Sequence, residues 1–327
     1  MKRHYQGFLA ALSLLSSPLT LTSSSLFVAI LSESSSSPAP ITATAFAIYT
    51  NTKQSITKRK TAGATTEMSG STNNRWSIAW EDIRNGGNPR WKITSEECHE
   101  KAYSHFQKFV LKGRDSSDDD NDNSNISVLC PLVGDDPFVH LLYEKGFSVT
   151  AIDLVAEAIE AMKERFGDGS SCWAKEKQSS DGSGGDDDDD VVWKHESGRV
   201  TLIVGDALKK RPNLNNSFDA VYDKDSFGAL PKQLRKPFCQ RITEYTKDNG
   251  ILYLECKLKQ GVQGADDSGP PFSLKRDDLM EVDNYGGSKF EYVQGLGSVY
   301  DLPNNMNATM QQTGHVLLRR RITTATP

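Results

Sequence analysis

Apolar positions along the chain follow two rhythms. From Ile126 to Val133 they run almost unbroken and stop at Gly134. Phe138, Leu141 and Leu142 then recur at helical spacing until Gly146, and a second apolar run, Phe147 to Ile152, ends at Asp153. Strand, helix and strand in that order predict a βαβ unit. Its first strand ends in a glycine, where backbone can approach a ligand. Its second ends in a carboxylate, Asp153, placed to hold a ribose. Together they outline a nucleoside site.

The rhythms continue on either side. Upstream, Trp76, Trp80 and Ile83 keep helical spacing ahead of the break Gly86-Gly87-Asn88-Pro89 and Trp91. These indoles read either as a latch on the core or as an aromatic lid over an adenine or sulfonium ligand. Ser95 predicts the cap of a helix running to Leu111, with Tyr103, Phe106 and Phe109 or Val110 on its inner face. Downstream, a helix is predicted over residues 156–166, followed by a Gly/Ser/Asp-rich stretch, 167–190, expected to be mobile. Residues 191–193 and 199–204 predict paired strands around the turn from His195 to Gly198. A strand over 218–222, a helix opened by Pro231 and running to Lys247, and a strand over 251–256 come next. Beyond Gly269-Pro270-Pro271-Phe272 come a short helix, 276–282, and two antiparallel strands, 289–294 and 315–320. The order predicts an α/β protein with a Rossmann-like, mainly parallel sheet, an antiparallel C-terminal strand, and helices on both faces.

Composition alters the picture at the amino end and in the charge. Within 327 residues, 37% hydrophobic and 25% charged, residues 1 to about 70 read as an address. Lys2 and Arg3 precede the apolar stretch Phe8 to Leu15, and serines and Pro18 interrupt the apolar residues beyond it too often for a membrane span. Ala43-Thr44-Ala45-Phe46-Ala47 and an acid-poor segment with Lys53, Lys58, Arg59 and Lys60 come next. The combination resembles a bipartite plastid presequence, the alternatives being a cytoplasmic or mitochondrial protein. The net charge of -5 is misleading, because residues 115–124 and 178–190 hold 11 acidic residues and no Lys or Arg. Both runs are expected to be disordered loops, and no basic stripe for nucleic acid appears. Five cysteines without a CxxC point to neither a disulfide framework nor a metal site, and to a reducing compartment.

Candidate chemistry gathers where strands end, because ligands of open α/β sheets bind at the carboxyl edge. The residues there are Leu132 and Gly134, Asp153, Asp206 with Ala207, and Asp223 with Lys224. A dinucleotide site needs G-x-G-x-x-G after the first strand. Only Gly134 stands there, and the following Asp135 and Asp136 are expected to repel a pyrophosphate. S-adenosylmethionine has no phosphates; it carries adenine, a ribose diol suited to Asp153, and a cationic sulfonium.

Taken in order, WSIAW, VLCPLVGDDPFVHLLYEKGFSVTAIDL, GDAL, FDAVYDKDSFGALP and GPPF resemble the thiopurine S-methyltransferase family of class I methyltransferases, over about residues 75 to 321. The resemblance implies that Trp76 and Trp80 flank the cofactor and that Leu132 and Gly134 pass beneath its methionine part. It further implies that Asp153 holds the ribose hydroxyls, that Asp206 and Ala207 contact the adenine, and that Asp223 and Lys224 are catalytic. The implied reaction is methyl transfer to a small thiol or selenol by in-line displacement in a monomeric enzyme. Lys224 would orient an anionic acceptor or favour its thiolate, and Asp223 or Asp225 would take a proton from a protonated one. Lys224 stands where the family usually has Arg, keeping the charge without the planar fork. Val133 replaces a common Cys, and the acidic insertions and the long Trp80-to-Trp91 spacing depart from the pattern. Two other activities fit the signature: methylation of halide or thiocyanate, and cofactor binding without turnover. The residue-level alternatives are a cap on the next turn for Asp223 and a solvated surface charge for Lys224. His140 and His195 are expected on a helix surface and in a turn, with no chemistry.

Overall fold

The structure, a computed structural model, describes residues 78, 80–83, 85, 93, 95–112, 123, 125–166, 170–177, 190–261, 269–302 and 309–321. All of them belong to one compact unit, residues 61–327. Trp76, Trp91, the Gly86–Pro89 break, the N-terminal presequence, and both acidic runs apart from Asn123 and Asp190 lie outside the described residues.

In chain order the elements are α1 (Glu96–Val110), β1 (Ser127–Pro131), α2 (Pro137–Glu144), β2 (Ser148–Asp153), α3 (Ala156–Arg165), β3 (Trp173–Lys177), β4 (Val191–His195) and β5 (Val200–Val204). After them come β6 (Phe218–Lys224), α4 (Ser226–Ala229), α5 (Lys232–Tyr245), β7 (Thr246–Lys259), α6 (Arg276–Leu279), β8 (Phe290–Tyr300) and β9 (Met310–Arg319). The nine strands form one sheet in the order β3-β4-β5-β2-β1-β6-β7-β9-β8. Strands β5, β2, β1, β6 and β7 are parallel to their neighbours within that block. Both edges are antiparallel: β3 and β4 on one side, β9 and β8 on the other. The Rossmann-like architecture with helices on both faces is therefore as predicted. The antiparallel part is larger, because β3 was hidden in the Gly/Ser/Asp-rich stretch expected to be mobile. Its sequence, Trp-Ala-Lys-Glu-Lys, carries the charges that protect an edge strand.

Strand alternation divides the interior into two cores. On one face α1, α2 and α3 cover Val128, Cys130, Val149, Ala151, Tyr222 and Tyr253. Phe106 of α1 is fully buried there, set edge-on to Phe138, Phe147, Tyr222 and Tyr253 at centroid distances of 5.9 to 6.2 Å. On the other face α5 and the segment through Leu279 and Tyr285 cover Leu129, Val221, Leu252, Leu254 and Cys256. Because both faces are covered, polar side chains on the central strands are buried as well. Among the described residues no helix is long and apolar enough to cross a membrane.

The end of the second acidic run is fixed. Asp190 forms a two-pronged pair with Arg211, Nε to Oδ2 at 2.7 Å and Nη2 to Oδ1 at 2.9 Å, with both side chains buried. His195 closes β4 rather than lying in the turn, and packs against Trp173, Tyr143 and Phe166.

Candidate active site

The crevice begins where β1 stops. Leu132, Gly134 and, after β6, Asp225 hold φ of 44°, 60° and 59°. Positive φ is unfavourable for Leu and Asp, and three such residues at two adjacent strand ends mark a backbone shaped for more than chain reversal. At Gly134 it is the positive φ that calls for glycine, since a first side-chain carbon there would meet the buried Trp80 indole only at contact distance, 3.4 Å.

Asp153 ends β2 and ties the two strand ends together. Its Oδ2 accepts from Gly134 N at 2.8 Å and its Oδ1 from Val155 N at 2.9 Å. With Leu154 N–H also acting on it, the carboxylate keeps acceptor capacity for a further donor. Burial pushes the carboxyl up to about 6, against the backbone N–H groups that favour its charge. Beyond β5, Asp206 Oδ1 accepts from Leu208 N at 2.9 Å and Ala207 is buried.

Asp223 and Lys224 end β6 together, but alternation sends them to opposite faces. Asp223 is fully buried and its Oδ1 accepts from Ser226 N at 2.9 Å and Phe227 N at 3.3 Å, which makes it a cap on α4. Its Oδ2 has no hydrogen-bond partner, and burial raises the carboxyl to about 7. Lys224 is no solvated surface charge. Its side chain is 8% exposed and its Nζ lies 2.6 Å from Oδ2 of the equally buried Asp136. Burial disfavours the ammonium, yet Asp136, with Glu255 and Asp225, outweighs it and holds the Lys224 pKa above the ordinary value.

The acidic pair after Gly134 is thereby largely neutralised. Asp136 Oδ1 accepts from Phe138 N at 2.9 Å, capping α2, while Asp135 pairs with Arg165 at 3.1 Å. The expected repulsion of a pyrophosphate loses most of its force, and the missing glycines carry the argument against a dinucleotide.

Sequence reasoning missed a group of polar residues on the α1 face of β7. Glu255, fully buried, accepts from Tyr300 Oη at 2.8 Å and Tyr253 Oη at 3.2 Å, and burial raises its carboxyl to about 7. Lys257, also buried, pairs with Asp225 Oδ2 at 3.0 Å and bonds Gln312 Oε1. Their alternation in Leu-Glu-Cys-Lys reads as a solvent face, and only the β8–β9 hairpin and α1 reveal that it is covered.

Two cavities flank this framework. One of about 390 Å³, beside the Gly134 loop, is lined by Trp80, Ile83, Asp135, Glu157, Ala161, Glu164 and Arg165. A larger groove of about 800 Å³, involving Asn216, Thr243, Asp248 and Arg319, lies at the amino ends of β6 and β7, away from the strand ends that carry the candidate chemistry. The first borders the Gly134 loop through Trp80 and Asp135, while Leu132, Asp153, Asp206 and Lys224 line neither.

This sheet, with a glycine after β1 and a carboxylate closing β2, is that of the class I S-adenosylmethionine-dependent methyltransferases. The crystal structure of the Burkholderia thailandensis 1,6-didemethyltoxoflavin-N1-methyltransferase, with 1,6-didemethyltoxoflavin and S-adenosylhomocysteine bound, superposes with a TM-score of 0.50 at 13% identity, covering 80% of this chain and 94% of that one. The model of the family described as thiopurine S-methyltransferase (TPMT) matches residues 99–315, well over half the chain, and the chain belongs to that family. Curated relatives are the thiopurine S-methyltransferases of Psychrobacter cryohalolentis, 22% identical over 57% of this chain and 77% of that protein, and Acinetobacter baylyi, 19% identical over 47% and 65%.

The protein is a methyltransferase and its cofactor is S-adenosylmethionine. The residues present fit that ligand. Asp153 stands at the strand end with acceptor capacity left for a ribose hydroxyl, and the Gly134 backbone lies beneath Trp80.

Proposed function

We propose that the chain is an S-methyltransferase for small thiol or selenol acceptors. Bound S-adenosylmethionine supplies an electrophilic methyl group on a sulfonium. In this reading Asp153 holds the ribose hydroxyls, Trp80, Leu132 and Gly134 enclose the methionine part, and Asp206 and Ala207 border the adenine. Trp76 is assigned to the same lid. Asp223 shapes the site through α4 rather than taking a proton, because strand alternation turns it to the face opposite Lys224, where it caps Ser226 and Phe227. Lys224, held by Asp136, supplies N–H donors that orient an anionic acceptor.

The observation that carries the reading is the buried Lys224–Asp136 pair at the ends of β1 and β6. Asp136 offsets the charge of Lys224 but takes only one of its three N–H donors, so the pair holds an ammonium in place with donors left for an anionic acceptor. The S-methyltransferase names of the curated relatives agree with it. Product analysis with alkyl and aryl thiols, a selenol, iodide and thiocyanate tests it. Methylated thiol or selenol as the main product is expected. Transfer to iodide or thiocyanate alone, or cofactor binding with no transfer, would contradict it. Residues 1–70 are proposed to direct import into a plastid; a reporter fusion that stays in the cytosol excludes this.

A further inference from the structure

His99 sits in the first turns of α1, 6% exposed, and its Nε2 has no hydrogen-bond partner. A buried polar atom left unpaired is destabilising, so an apolar residue would serve the core better. The nitrogen left over is also the one on the side of the Lys224–Asp136 pair. It lies 3.7 Å from Asp136 Oδ1, on the carboxylate whose other oxygen holds Lys224. The ring has a backbone bond to Ile93 that strengthens its hold on a proton, so the ring donates to a carbonyl. With Nε2 unpaired, that donor is Nδ1, which fixes the neutral tautomer with a lone pair on Nε2.

The charges facing the ring suit a base. Burial first, then Lys224 of β6 and Arg165 of α3, lower its pKa, while Asp136 from the loop before α2 opposes them. The imidazole rests neutral, and a carboxylate stands ready to stabilise the cation once a proton arrives.

We propose that His99 is the general base for protonated acceptors. This rests on the thiol reading and deepens it. As the acceptor sulfur bonds to the methyl carbon, its S–H proton passes to His99 Nε2. The old sulfur–methyl bond breaks with its electron pair left on the cofactor sulfur, which becomes a neutral thioether. The imidazolium formed is balanced by Asp136 and returns its proton to water after release. The base extends the substrate class to alkyl thiols, which are mostly protonated at neutral pH, whereas acidic aryl thiols arrive ionised and do not need it.

The test uses the full chain and His99→Asn and His99→Gln variants, comparing kcat/KM at neutral pH for 2-mercaptoethanol and a nitro-substituted benzenethiol. The alkyl thiol is expected to lose about 100-fold or more and the aryl thiol less than about 3-fold, since general-base catalysis contributes about 10²–10⁴. Equal losses on both thiols, with S-adenosylmethionine affinity retained, overturn the role of His99 alone. A wild-type chain that methylates neither thiol overturns the thiol reading and the base with it. A ¹⁵N spectrum of the wild-type imidazole supplies a readout independent of variant folding. It is expected to show a protonated Nδ1 and a bare Nε2 at neutral pH, and an imidazolium or the reverse tautomer overturns the proposal.

Discussion

In the proposed site Asp153 is the residue on which cofactor recognition turns. Its carboxyl is pushed by burial to about 6, and the ionised form is the better acceptor for a diol. Cofactor affinity is therefore expected to fall as pH drops through about 6, as read by calorimetry, and a flat profile across that range contradicts the role. Glu255 offers a separate test on stability. Burial raises its pKa from 4.5 to about 7, so the folded chain holds this proton more tightly than the unfolded one. Its contribution is present in full below 4.5 and is lost as pH rises through about 7, with a slope of at most about 1.4 kcal/mol per pH unit. Glu255→Gln should flatten that decline in urea unfolding, and an unchanged slope contradicts the assignment. Lys224→Met leaves Asp136 buried without its main partner and is expected to cost about 3–5 kcal/mol, much of it recovered in Asp136→Asn/Lys224→Met. A loss below about 0.5 kcal/mol would mean a surface charge after all.

At the scale of elements, what the sequence disclosed depended on where the apolar rhythm broke. Gly134 and Asp153 were visible because each closes an unbroken apolar run. The strand ends β1, β2, β5 and β6 were located within a few residues for the same reason. Glu255 and Lys257 were not, because their spacing matches that of a wetted face and only the packing of α1 and β8 against them covers it, and His99 was not, because a lone histidine early in α1 carries no signal of its burial against Asp136. A central strand buried on both sides was the available signal. Strand β3 was hidden by its own charges and by the Gly/Ser/Asp-rich residues around it. The Asp190–Arg211 pair pins the start of β4 to the loop after β5, with distances of 2.7 and 2.9 Å. Asp190→Ala strands the buried guanidinium and is expected to lower unfolding stability by about 3–5 kcal/mol. A chain that unfolds at the same denaturant concentration as the wild type would show that the pair does not hold this edge.

At the scale of the molecule, a parallel centre aligns five carboxyl strand ends into one ligand edge, and the antiparallel edges close the sheet around it. The β8–β9 hairpin and α1 bury the polar side of β7, which converts an apparent solvent face into an interior one. The central claim is that this edge binds S-adenosylmethionine through Asp153. Titration of the full chain with S-adenosylmethionine by calorimetry, repeated with Asp153→Ala, tests it most directly. Saturable binding that weakens about tenfold or more in the variant is predicted, from the loss of charge-assisted hydrogen bonds worth about 1.5–3 kcal/mol. Unchanged affinity in the variant, or no binding by the wild type, would contradict it.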